Sequence, residues 1–111
     1  MNGHAFLQAG SFSVRLTLQQ RQETDDGAGG FASLWQNLDP VWARIIPVEG
    51  IVAHSAANLG HAITHWIYIR MNNSVRPGMR FVKGARIFDV DTVHDPDETG
   101  RYLVCKVVER S

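Results

Sequence analysis

Several residues in this chain have types and spacings that could do chemistry. His61 and His65 stand four apart, and on one continuous helix two imidazoles at that spacing would face a single metal ion. The helix expected here ends near Gly60, so the two do not share one continuous helix, and neither a cysteine partner nor an H-E-x-x-H context accompanies the pair. Asp89, Asp91, Asp95, Asp97 and Glu98 crowd around a predicted turn, and the D-x-D spacing places Asp89 and Asp91 on one strand face. Paired carboxylates can hold magnesium or calcium, but the glycine and closing glutamate of a calcium loop are missing, which leaves a solvated face and turn. Ser55 beside His54 has neither a G-x-S-x-G elbow nor a placed acid. Cys105, the single cysteine, lies in an apolar strand-like run without a base, the setting of a packed and inert thiol. No catalytic residue, metal or cofactor is assigned, and the chain is not read as an enzyme.

Aromatic and arginine residues form a different pattern. Trp35, Arg44, Trp66, Tyr68 and Arg70 fall on alternating strands whose core face is already supplied by aliphatic residues. Tryptophan, tyrosine and arginine are enriched at protein interfaces and their hot spots, so these five are candidates for a subunit interface, with a place in the small core an equal alternative for Trp35 and Trp66. Trp42, amid "VWARI", is expected in the core.

The elements that must position them are mostly strands. In "FSVRLTLQQ", residues 12 to 20, Phe12, Val14, Leu16 and Leu18 alternate with polar residues, the pattern of a half-buried strand. "ETDDGAGG", residues 23 to 30, reads as a mobile hairpin loop. The stretch from Leu34 to Pro47 is interrupted by Pro40, which has no N–H for a ladder, so a bulge or bend between two collinear strand pieces is predicted. Residues 48 to 62 are alanine-rich, with Val52, Ala56 and Leu59 at helical spacing, and predict one short inserted helix. "HWIYIR" carries large groups on both faces, with His65, Ile67 and Ile69 opposite Trp66, Tyr68 and Arg70. "MRFVK", "RIFDVDTVH" and "RYLVCKVVE" follow, the last two as a hairpin. The expected fold is mainly β, a small antiparallel barrel of five to six strands, which hides its edges by closure.

The 111 residues suit one domain, taken as 1–111 with residues 1–10 as a flexible N-terminal arm. Eleven basic residues balance 11 acidic ones, so no global field draws in nucleic acid or an acidic membrane. With 44% apolar residues and no long apolar run, the expectation is a soluble protein. The N-terminus shows no signal pattern, so synthesis in a reducing cytoplasm is expected.

In order and spacing, the loop "DDGAGG", Trp35, the block from Val41 to Gly50, the H-x-I-x-I-R strand His65 to Arg70 and the closing hairpin resemble the phage head-tail joining proteins. These are also called head-tail adaptor, head completion or stopper proteins, and the resemblance runs from about residue 12 to 109. Ile51, Val52 and Met71 stand where the family usually carries a glutamate and a tyrosine. The resemblance implies a β-barrel with one inserted helix, acting as a virion connector of a phage, prophage or gene transfer agent. It implies a homo-oligomeric ring, sixfold favoured, between the portal or adaptor and the tail terminator. That ring seals the DNA-filled head, lets double-stranded DNA pass without tight binding, and is made in the bacterial host cytoplasm. The inserted segment is then the candidate channel gate, where Gly50, Ala53, Ser55, Ala56, Ala57, Asn58 and Gly60 are small enough to crowd at an axis. Asp25, Asp26, Gly27, Gly29 and Gly30 become candidates for contact with an adjoining ring. Two alternatives remain open, a tail terminator or tail completion ring protein and a small oligonucleotide-binding barrel with Trp66 and Tyr68 as stacking platforms.

Overall fold

The computed structural model describes residues 12–25, 31–48, 62–72 and 74–110. These form six strands: β1 (Val14–Asp25), β2 (Phe31–Pro47), β3 (His65–Arg70), β4 (Arg80–Lys83), β5 (Arg86–His94) and β6 (Tyr102–Glu109). They close into an antiparallel barrel in the order β1-β2-β3-β6-β5-β4. Closure between β1 and β4 rests on Thr17–Val82, Leu18–Phe81 and Gln19–Arg80, so the barrel is complete without using the outer half of β1. The expected barrel is therefore present, and among the described residues it contains no α-helix. The helix expected within residues 48 to 62 falls almost wholly outside the described residues.

Alternation along the strands fills the interior. Leu16, Leu18, Ile67, Ile69, Phe81, Phe88 and Val107 are almost wholly buried and form the main core with Leu103, Cys105 and Val90. Removing each such side chain from water contributes roughly 1.5–3 kcal/mol. Six strands leave an interior that side chains fill, not a channel.

Two bulges interrupt the pattern. Thr17 pairs with Pro40 but Gln19 with Asn37, so β2 holds one residue more than β1 in this interval. The irregularity predicted at Pro40 is present as a bulge within one continuous strand, not as a break. In β5 the register shifts between Val90 and Thr92, and the core-facing positions pass from Val90 to Val93 across the extra residue Asp91.

Beyond the barrel, β1 and β2 continue together. Pairs from Gln20–Gln36 to Asp25–Phe31 have no third strand beside them among the described residues. This two-stranded arm is about 20 Å long at ~3.3 Å per residue, and the molecule measures 57 × 30 × 27 Å. The arm also revises the loop expected at residues 23 to 30. Glu23, Thr24 and Asp25 are paired strand residues, opposite Ser33, Ala32 and Phe31. Asp26, Gly27, Gly29 and Gly30 lie outside the described residues.

Phe12 and Trp42 depart from their expected positions. Phe12 precedes β1 and turns to the outside of the barrel, where it packs with Tyr68 and Val104. Trp42 is 51% exposed. Val41 packs against the core and Ala43 is within it, and consecutive strand residues point to opposite faces, so Trp42 must point out despite its apolar neighbours.

Candidate interaction surface

The outer face of β2, β3 and β6 carries most of the candidate interface residues, and the structure divides them. Tyr68 is only 3% exposed, enclosed by Phe12 and Val104 with Ile46, Trp66 and Tyr102 around them. Phe12 meets Tyr102 edge-on at 5.4 Å. Burial pushes the Tyr68 hydroxyl above its ordinary pKa. The outward face of β3 is thus occupied in part by the chain's own N-terminal approach. Trp66 is half-buried beneath Lys106, whose Nζ lies 4.7 Å from the ring centroid, and its buried Nε1 has no hydrogen-bond acceptor. Arg44, opposite Tyr68, and Arg70, opposite Tyr102, are exposed.

A second set gathers on the outward face of β1 and β2. Arg15 and Trp42 are register partners, and the guanidinium lies 5.3 Å from the indole centroid. At the root of the arm, Arg80 from β4 lies 3.9 Å from the Trp35 ring centroid and donates from Nε to Gln19 Oε1 at 2.7 Å. Gln19 Nε2 donates onward to Asn37 Oδ1 at 2.7 Å, and Gln20 Nε2 to Gln36 Oε1 at 3.0 Å. These bonds tie the arm to the barrel. Sequence reasoning did not select Arg15, Arg80 or Trp42. The parity of "VRLTL" and "VWARI" carried the signal for Arg15 and Trp42, whereas Arg80 reaches Trp35 only because the barrel closes.

The acidic cluster has a structural use. Asp95 Oδ1 accepts from the backbone N–H of Asp97 (3.2 Å) and Glu98 (2.8 Å), and its Oδ2 from that of Gly100 (2.7 Å). Asp97 accepts from Thr99, which is the main reason its carboxyl sits below the usual range, and pairs with Arg101 at 3.6 Å. Asp89 pairs with Arg110 at 2.7 Å. Glu98 and Gly100 take positive φ of 59° and 78° to complete the turn. No group of three metal-ligating side chains occurs among the described residues.

His65 faces inward, edge-on to Phe88 at 5.4 Å, with Nδ1 2.8 Å from Thr64 Oγ1 and Nε2 3.8 Å from Glu109. The Glu109 carboxyl is lowered chiefly by the hydrogen bond from Arg86. Burial raises the Cys105 thiol to about 12, so it holds its proton at neutral pH and packs. His54, Ser55 and His61 lie outside the described residues, as do the gate candidates Gly50, Ala53, Ala56, Ala57, Asn58 and Gly60.

Residues 7–110 match the family of phage head completion proteins. The chain belongs to that family. Among solved structures, a chain in the virion of a native gene transfer agent particle is similar, with 28% identity and a TM-score of 0.62 over 86% of this chain and 91% of that one. The solution structure of protein SF1141 from Shigella flexneri 2a shares the fold at 20% identity and a TM-score of 0.64, over 91% of this chain and 96% of that one. No curated protein matches the chain. As a head completion protein, it is a structural component of a phage or gene transfer agent particle.

Proposed function

We propose that this protein is a head-tail connector of the stopper type, forming a ring between the portal or adaptor and the tail, with sixfold order favoured. The observation that carries the reading is the head completion family match across residues 7–110. The fold supports it through its polarity. Val48 N donates to Thr64 O at 2.9 Å, so both ends of the inserted segment are anchored where β2 leaves and β3 enters the barrel. The β1–β2 arm leaves from the other end. A connector needs such opposed elements, one to reach an adjoining ring and one to close the channel. The arm tip takes the first role, with Asp25, Asp26, Gly27, Gly29 and Gly30, and residues 50 to 60 take the second. Zero formal net charge suits a conduit, because each phosphate neutralised by Lys or Arg would hold DNA in a salt-dependent way.

Particles assembled without the protein test the reading. Filled heads that leak DNA and fail to join tails are expected, with both defects reversed when the purified protein is added. Heads that retain DNA and join tails without it would overturn the proposal. Joined but irregularly long tails would point to the tail terminator instead.

A further inference from the structure

On the basis of the ring reading above, we propose that neighbouring copies of this chain dock head to tail. The outward Arg15–Trp42–Arg44 patch of one copy meets the acidic β5–β6 turn of the next. The patch is of one sign. Residues 14–22 and 40–47 contain Arg15, Arg21 and Arg44 but no aspartate or glutamate. At its centre Trp42 is 51% exposed beneath the Arg15 guanidinium, and tryptophan and arginine are both enriched among interface anchors. The opposing turn is net acidic. In residues 95–101, Asp95, Asp97 and Glu98 stand against the single cation Arg101, which pairs with Asp97, and Glu98 presents its carboxylate at the surface.

Geometry keeps the two surfaces from meeting within one molecule. In the closed order β1-β2-β3-β6-β5-β4, β2 and β5 lie opposite each other. The ladder from Arg44 through Tyr68 and Val104 to His94 ends at the foot of the acidic turn, half a barrel away. A patch and its complement on opposite sides make a heterologous contact, which closes into a ring when the rotation permits. The turn is also fixed in advance. Asp95 holds the N–H groups of Asp97, Glu98 and Gly100, so little ordering is left for docking to impose, while Glu98 stays exposed at the surface.

The test is covalent capture in assembled particles. Trp42→Cys and Glu98→Cys in the same chain should give a ladder of disulfide-linked multimers on oxidation, and neither substitution alone should give more than monomer. Thr99→Cys replaces the second position if Glu98→Cys lowers the melting temperature. Cys105 is buried and stays out of the reaction. Dimers from Trp42→Cys alone would mean a twofold contact and overturn the proposal. Particles that contain the protein and carry tails, yet give no ladder, would overturn this surface and leave the ring reading standing. Particles assembled with the unsubstituted chain that nevertheless lack the protein would overturn both. Charge exchange supplies a second arm: Arg15→Glu should lower incorporation about tenfold, as should Glu98→Lys, and the two combined should restore it. No restoration at unchanged melting temperature would overturn the pairing, and lost affinity for duplex DNA with normal incorporation would assign the patch to nucleic acid instead.

Discussion

Tyr68 and Trp42 are both large aromatics on outward strand faces, yet truncating them is expected to have opposite consequences. Tyr68→Ala removes a ring packed between Phe12 and Val104 and should cost about 3 kcal/mol or more, seen as a large fall in melting temperature. Trp42→Ala removes a half-exposed ring together with its Arg15 contact and should cost only about 1 kcal/mol. Arg70→Ala, at an exposed strand end, should likewise spare the fold and is expected to act on assembly. The thiol adds a pH dependence. Cys105 is raised from 9.0 to about 12 in the folded protein, so the unfolded chain loses this proton first. Stability from this group is complete below pH 9 and declines as pH rises toward 12. Tyr68, also raised, contributes in the same direction. Urea titrations between neutral and strongly alkaline pH should show a shallower alkaline loss in Cys105→Ala than in the parent.

Among the elements, the β5–β6 turn and the β1–β2 arm differ in what they support. Asp95→Ala leaves three backbone N–H groups without their acceptor and should cost about 1–3 kcal/mol, whereas Glu98→Ala, which accepts none of them, should cost far less. Chemical denaturation of the two variants measures the difference. Shortening the arm by joining Gln22 to Leu34 through a two-residue Asn-Gly turn removes only pairs that lie beyond the β1–β4 closure at Thr17–Gln19. The barrel should keep its melting transition, while binding to the adjoining ring, followed by co-sedimentation with purified heads, should be lost.

For the whole molecule, the deciding question is whether the segment between β2 and β3 closes the channel. Replacing residues 53 to 58 with a shorter Gly-Ser linker should leave the barrel folded, since its anchors at Val48 and Thr64 stay in place. The variant should still bind heads, yet packaged DNA in tailless heads should become nuclease-sensitive. Full retention of DNA would move the gate to the arm tip.

Alternation of polar and apolar residues is a local property, and it was enough to mark β1 and β3. The turn residues between β5 and β6 marked that pair, the apolar run marked Cys105 as packed, and the missing N–H of Pro40 marked the irregularity there. The strict parity of "HWIYIR" even separated its two faces correctly, because a strand offers no third direction. Local sequence could not show which strand closes the barrel, and so could not bring Arg80 of β4 onto Trp35 of β2. Nor could it show that β1 runs on to Asp25, since "ETD" has poor strand propensity and is held by pairing with residues 31 to 33. Phe12 continued the alternation of β1, yet it packs outside over Tyr68, where the chain crosses the barrel before the strand begins. Whether an outward aromatic is enclosed, like Tyr68, or presented, like Trp42, depends on what the rest of the chain lays over it. Only the closed barrel decides that.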